Sequence, residues 1–248
     1  MKFSVITPFC CWHEMKVEQL HRCVGSLHNQ TFPDYEHILV DNGSNIDYGL
    51  ITDKLFVIPK LERLVGYKKG LEEAKGEWIV FCDSDDELLS YALDLFNQAI
   101  EKYPDYKVFN FASFHVDRYF KTRIRGVFKP ARKKVGHEVF GGGNIVNGTF
   151  IFHRSLISKA MLNGLDFCNP WDFSIAFQEE FPVIKKYFIV KHPEHPKGYP
   201  KELGNPWGND YYFFYRLTRK NHSMPLDIPV ILIHHEGKQK GEYHELTD

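Results

Sequence analysis

The sequence predicts an α/β fold: a mostly parallel sheet with helices on both faces, plus a smaller mixed region toward the C-terminus. Three observations predict it. Short apolar runs alternate with segments whose apolar residues recur at helical spacing over residues 3–104, the pattern of strands joined by crossover helices. The run Trp78-Ile79-Val80-Phe81-Cys82 has no polar face, so both of its faces must be covered. Polar turns follow three of the runs directly, at Pro8 to Trp12, Asp41 to Ser44 and Asp83 to Asp86. In a parallel sheet such turns come to one edge, where ligands bind beyond the carboxyl ends of the strands.

Each element has its own signal. Phe3 to Thr7 reads as a buried strand stopped by Pro8, and Val17, Leu20, Val24 and Leu27 mark the helix after it. His37 to Val40 is a second strand, running straight into the Asp41-Asn42-Gly43-Ser44 turn, and Leu55 to Ile58 is a third. Leu64, Tyr67, Leu71 and Ala74 mark a helix closed by Gly76. After the Trp78 strand, Leu89, Leu93, Phe96 and Ile100 predict a helix ending near Pro104.

From about Lys107 the texture changes. Phe109, Phe111, Phe114 and the run around Tyr119 read as short strands. The basic run 121–134 reads either as a solvated loop or as a lid that helps hold a diphosphate. Gly141-Gly142-Gly143 fits a flexible turn or backbone near a ligand. A strand is expected at Thr149 to Phe152, a helix from near Asn209, and a strand at Pro229 to Ile233 that ends in His234-His235-Glu236. The expected division is 1–106 and 107–248, two halves of one domain.

Composition narrows the function classes. Lys plus Arg is 31 and Asp plus Glu is 32, a net charge of −1, so no global field draws the chain to nucleic acid or an anionic membrane. No apolar stretch approaches the roughly 20 residues that span a bilayer. Five cysteines are an odd number and lack metal-site spacing, which reads as reduced thiols in a cytoplasmic protein; peripheral association with a membrane stays open.

Asp83-Ser84-Asp85-Asp86 places three carboxylates within four residues. Such crowding raises their pKa values by mutual repulsion, unless a hard divalent cation such as Mn²⁺ or Mg²⁺ ties them to substrate phosphates. The alternative is an acidic helix N-terminus, with Asp86-Glu87 serving the following helix.

The surrounding residues carry a resemblance. Gly70-Leu71-Glu72-Glu73-Ala74-Lys75-Gly76-Glu77 followed by the Trp78 strand and Asp83-Ser84-Asp85-Asp86 resembles family 2 glycosyltransferases, with their "A-K-G-E" helix end, aromatic-apolar strand and D-x-D-D cluster. Ser4 to Pro8 is similar to that family's first strand, and Ile38 to Ser44 to its "V-D-D-G-S" turn. The resemblance covers roughly residues 3–100. It implies a GT-A, Rossmann-like fold and metal-dependent transfer of a sugar from a nucleotide-diphosphate donor, UDP-linked before GDP-linked, to a glycan or other hydroxyl acceptor, with inversion.

Position by position, it implies that Thr7, Pro8 and Gly43 shape the nucleotide pocket. Asp41 accepts a hydrogen bond from the base, Lys69 meets a phosphate, Asp83 faces ribose and metal, and Asp85 ligates the metal. Trp207 to Leu217 is more weakly similar to an "E-D-W-x-x-x-x-R-L" segment, which makes Asp210 the catalytic base, with Asp172 as runner-up. A histidine after the last core strand suggests His235, or its neighbour His234, near the metal. The chain departs from the pattern at Asn42, Lys68-Lys69 and Asn209. Those departures keep open a non-catalytic nucleotide-sugar-binding module. A sugar-phosphate nucleotidyltransferase is the other alternative, although Phe9 to His13 lacks the glycine-rich loop such enzymes need.

Overall fold

The structure is a computed structural model that describes residues 1–50, 52, 54–59, 63–117, 123–128, 150–157 and 224–234. Its strands are β1 (Phe3–Phe9), β2 (Tyr35–Asn42), β3 (Leu55–Ile58), β4 (Trp78–Phe81), β5 (Glu87–Leu88), β6 (Val108–Asp117), β7 (Arg123–Phe128), β8 (Phe150–His153) and β9 (Met224–His234). Its helices are α1 (Glu14–His28), α2 (Arg63–Glu73) and α3 (Ala92–Lys102). All the described strands join one sheet in the order β3-β2-β1-β4-β8-β6-β9-β5, with β7 paired to β6. The first four are parallel neighbours. β8 runs antiparallel to β4 and β6, β9 runs parallel to β6, and β5 closes the edge antiparallel to β9. Among the described residues no helix is long and apolar enough to cross a membrane.

Strand alternation divides the core between the two faces. Phe3 and Val5 of β1 and Trp78 and Val80 of β4 pack with Cys23 and Leu27 of α1 and Leu93, Phe96 and Ile100 of α3. Ile6, Ile79 and Phe81 point the other way, onto Tyr67 and Leu71 of α2 and Ala74 just beyond it. Covering both faces is what the unbroken apolar run of β4 requires.

Glycines set how closely α2 approaches. A Cβ on Gly66 would lie 2.7 Å from Pro8 Cβ, one on Gly70 would lie 2.2 Å from Ile6 Cγ2, and one on Gly76 would lie 2.4 Å from the Ser4 nitrogen. Ser4, Ile6 and Pro8 alternate along one face of β1, so each meets one glycine. No larger residue leaves that space. The helix expected to close at Gly76 ends at Glu73 instead, and Gly76 lets the chain cross β1 before entering β4.

Glu36, buried at the start of β2, fixes the same crossing. Its carboxylate accepts from Ser4 Oγ at 2.5 Å, from the Lys75 and Gly76 backbone N–H groups at 2.6 and 3.0 Å, and from Lys54 Nζ. Burial pushes its pKa up, but the bonds from Lys54, Ser4 and Lys75 outweigh burial and hold it below the usual carboxylate value.

Three further expectations are corrected. The helix expected from Leu89 begins at Ala92, because Glu87–Leu88 form a strand on β9 and the Leu89 N–H donates to Val230. The basic run 121–134 is not all loop, since Arg123–Phe128 pairs with β6. The last strand is longer than Pro229 to Ile233 and absorbs its prolines through register shifts: Leu226 pairs with Phe111, and the next pair is Pro229 with Ala112. A proline has no N–H to give the ladder, so pairing slips there. The expected helix near Asn209 and Gly141 to Gly143 lie outside the described residues.

Candidate active site

Strand register brings the three polar turns to one edge. Asp41 is opposite Phe9 in the β1–β2 ladder, and β4 pairs with β1 up to Phe81 opposite Ile6, so Asp83 to Asp86 leave the sheet beside the first two turns.

At the Asp41 turn, Gly43 has φ +77°, the left-handed region open to glycine. That conformation lets the Ser44 N–H donate to Asp41 Oδ1 at 2.8 Å. The turn is tied to the loop after β1: the Cys11 N–H donates to Ser44 Oγ at 2.7 Å and the Asn45 N–H to the Cys11 carbonyl at 3.0 Å. Burial, together with the charge and hydrogen bond of Asp41, raises the Tyr48 hydroxyl to about 12, which marks it as a neutral donor to that carboxylate. Asp41 is buried and already holds two donors, so a bound base would share the carboxylate with Tyr48.

Thr7 and Pro8 lie at the same edge with buried side chains. Thr7 Oγ1 is 3.0 Å from His37 Nε2, and Pro8 is packed under Gly66. Both support the loop from behind. Lys69 points toward the sheet edge, where it pairs with Glu73 and covers the Phe56 ring at 5.0 Å. The structure does not bring it to the aspartates.

The acidic cluster is compact. Asp83, Asp85 and Asp86 each offer a carboxylate oxygen, and these atoms lie within 4.8 Å of one another. Asp83 Oδ1 accepts from the Tyr67 hydroxyl, whose ring is fixed 4.5 Å from that of Phe81. Asp85 is half-exposed, and its Oδ2 lies 3.7 Å from Lys16 Nζ on the first turn of α1. Asp86 is buried and accepts from the His234 N–H at 3.3 Å. Its pKa is raised well above the carboxylate value by burial first and by the charges of Asp85 and Asp83 next.

Asp86 therefore does not serve the helix that follows. α3 starts at Ala92 after Tyr91, with no side-chain cap. Sequence reasoning left a helix role open for Asp86 because the two-residue β5 is too short to leave a periodic signal. Three oxygen donors within one ion's reach, one of them buried against like charge, fit a hard divalent cation held by Asp83 and Asp85 with Asp86 beside them.

His234 is also buried, its Nε2 2.7 Å from Glu87 Oε1, and its backbone touches the cluster at Asp86. His235, Asp210 and Asp172 lie outside the described residues. Cys23 and Cys82 have their sulfurs 3.7 Å apart, and neither they nor Cys10 and Cys11 are joined by a disulfide.

Comparison with known proteins supplies the context for this geometry. The family model described as "Glycosyl transferase family 2" matches residues 4–161. The chain is 39% identical to the poly(ribitol-phosphate) beta-N-acetylglucosaminyltransferase TarP of Staphylococcus aureus, over 70% of this chain and 56% of that protein. It is 25% identical to glycosyltransferase GlyG of Streptococcus pneumoniae, over 99% of this chain and 90% of that one. The crystal structure of S. aureus TarS 1-349 in complex with UDP-GlcNAc superposes with a TM-score of 0.61 at 15% identity, covering 99% of this chain and 64% of that one. Such low identity speaks for the fold alone. The chain spans little more than half the length of TarP.

Proposed function

The chain belongs to glycosyl transferase family 2 with a GT-A-type fold, and from that membership we propose that it transfers a sugar from a UDP-linked donor to a hydroxyl acceptor. The observation that carries the reading is the cluster Asp83, Asp85 and Asp86, with oxygens within 4.8 Å at the carboxyl edge of the parallel strands. A solved neighbour of the same fold binds UDP-GlcNAc, which supports a UDP-sugar over a GDP-sugar.

The proposed roles follow from placement. Asp41 receives the base while Gly43 and Ser44 hold its carboxylate in place. Thr7 and Pro8 back the nucleotide pocket. Asp83, oriented by Tyr67, faces the ribose and the metal, and Asp85 is the direct ligand for Mn²⁺ or Mg²⁺. A divalent cation there supplies Lewis-acid stabilisation of charge on the leaving diphosphate. Lys16 lies beside Asp85 and adds positive charge near the diphosphate, a role the sequence pointed to at Lys69 instead. Asp210 remains the proposed base for an inverting transfer, acting on the acceptor hydroxyl from the face opposite the diphosphate. Residues 1–106 are the proposed nucleotide-sugar half and 107–248 the acceptor half.

The test is a panel of nucleotide sugars with Mn²⁺, scored by binding and by slow donor hydrolysis. UDP-sugars are expected to be hydrolysed with a metal requirement, and Asp85→Ala to abolish turnover. Full metal-dependent activity in Asp85→Ala would show the metal assignment to be wrong. Tight binding without turnover, with any acceptor, would point to a non-catalytic module.

A further inference from the structure

The carboxylate of Glu87 sits between a guanidinium and an imidazole from distant parts of the chain. Arg22 Nε of α1 lies 3.0 Å from Glu87 Oε1, and His234 Nε2 of β9 lies 2.7 Å from the same oxygen. Arg22 also donates through its second terminal nitrogen to the Asp85 carbonyl at 3.3 Å. His234 also donates its backbone N–H to Asp86 Oδ1. Every one of these groups is more than three-quarters buried at the side chain where it meets Glu87. The guanidinium thus holds the main chain of Asp85 and the side chain of the residue two positions on, and the histidine holds both Asp86 and Glu87.

From this geometry we propose that Arg22, Glu87 and His234 form a positioning bridge that fixes the turn Asp83 to Asp86 for metal binding. The inference rests on the metal reading of the cluster and deepens it. Three carboxylates that repel one another do not hold a convergent arrangement unaided; without anchors the turn would open and separate them. The guanidinium fork is suited to such a task because it makes contacts in two fixed directions at once, which an ammonium cannot. The bridge also ties α1 and the last described strand into a loop that belongs to neither. The integrity of the metal turn therefore depends on β9 being docked.

The test titrates the full chain with Mn²⁺ twice, by calorimetry without donor and in the donor-hydrolysis assay. Glu87→Gln and Arg22→Lys are each expected to raise the half-saturating Mn²⁺ concentration by about tenfold or more, as loss of a metal's outer-shell support typically does. Raising Mn²⁺ should recover much of the lost rate, with the KM for the donor at saturating metal little changed. The double variant should be no worse than the weaker single one, because both remove one bridge. A residue that only holds the fold together would lower Tm and kcat without moving the metal titration. If wild type requires Mn²⁺ and both variants keep its half-saturation, the bridge is not a positioning device and the inference fails alone. If wild type is indifferent to Mn²⁺ and to chelator, the metal reading fails and takes the inference with it.

Discussion

Single residues at the rear of the site carry a pH signature. Burial lowers the His37 imidazole to about 3, with a small further push from His28, while Nε2 stays 3.0 Å from the Thr7 hydroxyl. The ring is neutral in the folded protein. An unfolded chain binds a proton at His37 near the ordinary histidine value of about 6.5, so the unfolded state gains protons first as pH falls. Stability from this residue is therefore complete above about 6.5 and is lost progressively from there toward about 3. His37→Gln, which removes the titration, should show a smaller drop in Tm between pH 8 and pH 5 than wild type. An identical drop would mean that His37 is solvated and titrates normally in the fold. Nothing in the sequence singled out His37 beyond its place in an apolar strand; its contact with Thr7 comes from the neighbouring strand β1.

At the scale of elements, the approach of α2 to β1 controls the site. The close fit of Gly66 and Gly70 on Pro8 and Ile6 lets the Tyr67 side chain, on the same helix, reach Asp83. Two glycine substitutions should then have opposite signs. Gly25 lies within α1 and a Cβ there meets nothing within 4 Å, so Gly25→Ala should stabilise by up to about 1 kcal/mol through helix propensity. Gly70→Ala gains the same propensity but drives a methyl to 2.2 Å from Ile6 Cγ2, and such overpacking costs about 1–3 kcal/mol. It should lower Tm and, by moving Tyr67 off Asp83, weaken Mn²⁺ binding as well. A stabilised Gly70→Ala would show that α2 has room to spare. The helix itself was legible from Tyr67, Leu71 and Ala74, all of which are buried. The glycine track was not, because a glycine at helical spacing reads as a weakness in the helix until the strand beneath it is known. The "A-K-G-E" segment gained a physical reason in the same way: Lys75 and Gly76 supply N–H groups to buried Glu36.

Across the whole molecule, sequence signals held for elements that carry their own apolar pattern and failed for contacts made only by distant segments meeting. β1 to β4 and the three polar turns follow from alternation over residues 3–104, and Asp41, Asp83 and Asp85 stand at the edge that alternation implied. The partner of β5 is separated from it by more than half the chain, and the hydrogen bond from His234 to Asp86 spans 148 residues. No periodicity within a short window reports such contacts, which is why a helix role for Asp86 stayed open and why the pairing of Arg22 with Glu87 was missed. The same topology makes the last described strand indispensable. β9 is inserted between β6 and β5, and its Val230, Ile231 and Ile233 are buried in the core shared with α3. Burial of each such side chain is worth about 1.5–3 kcal/mol. Losing three of them, with the ladder to β6 and the contact to Asp86, approaches or exceeds the whole stability of a typical domain, about 5–15 kcal/mol. A chain ending at Ser223 should therefore lose its cooperative thermal transition and its near-ultraviolet circular dichroism, and with them any Mn²⁺ binding at the acidic turn. If it instead melts cooperatively with a native aromatic signal, β9 is an attachment to a fold complete without it, and the dependence of the metal turn on docking of the last strand falls.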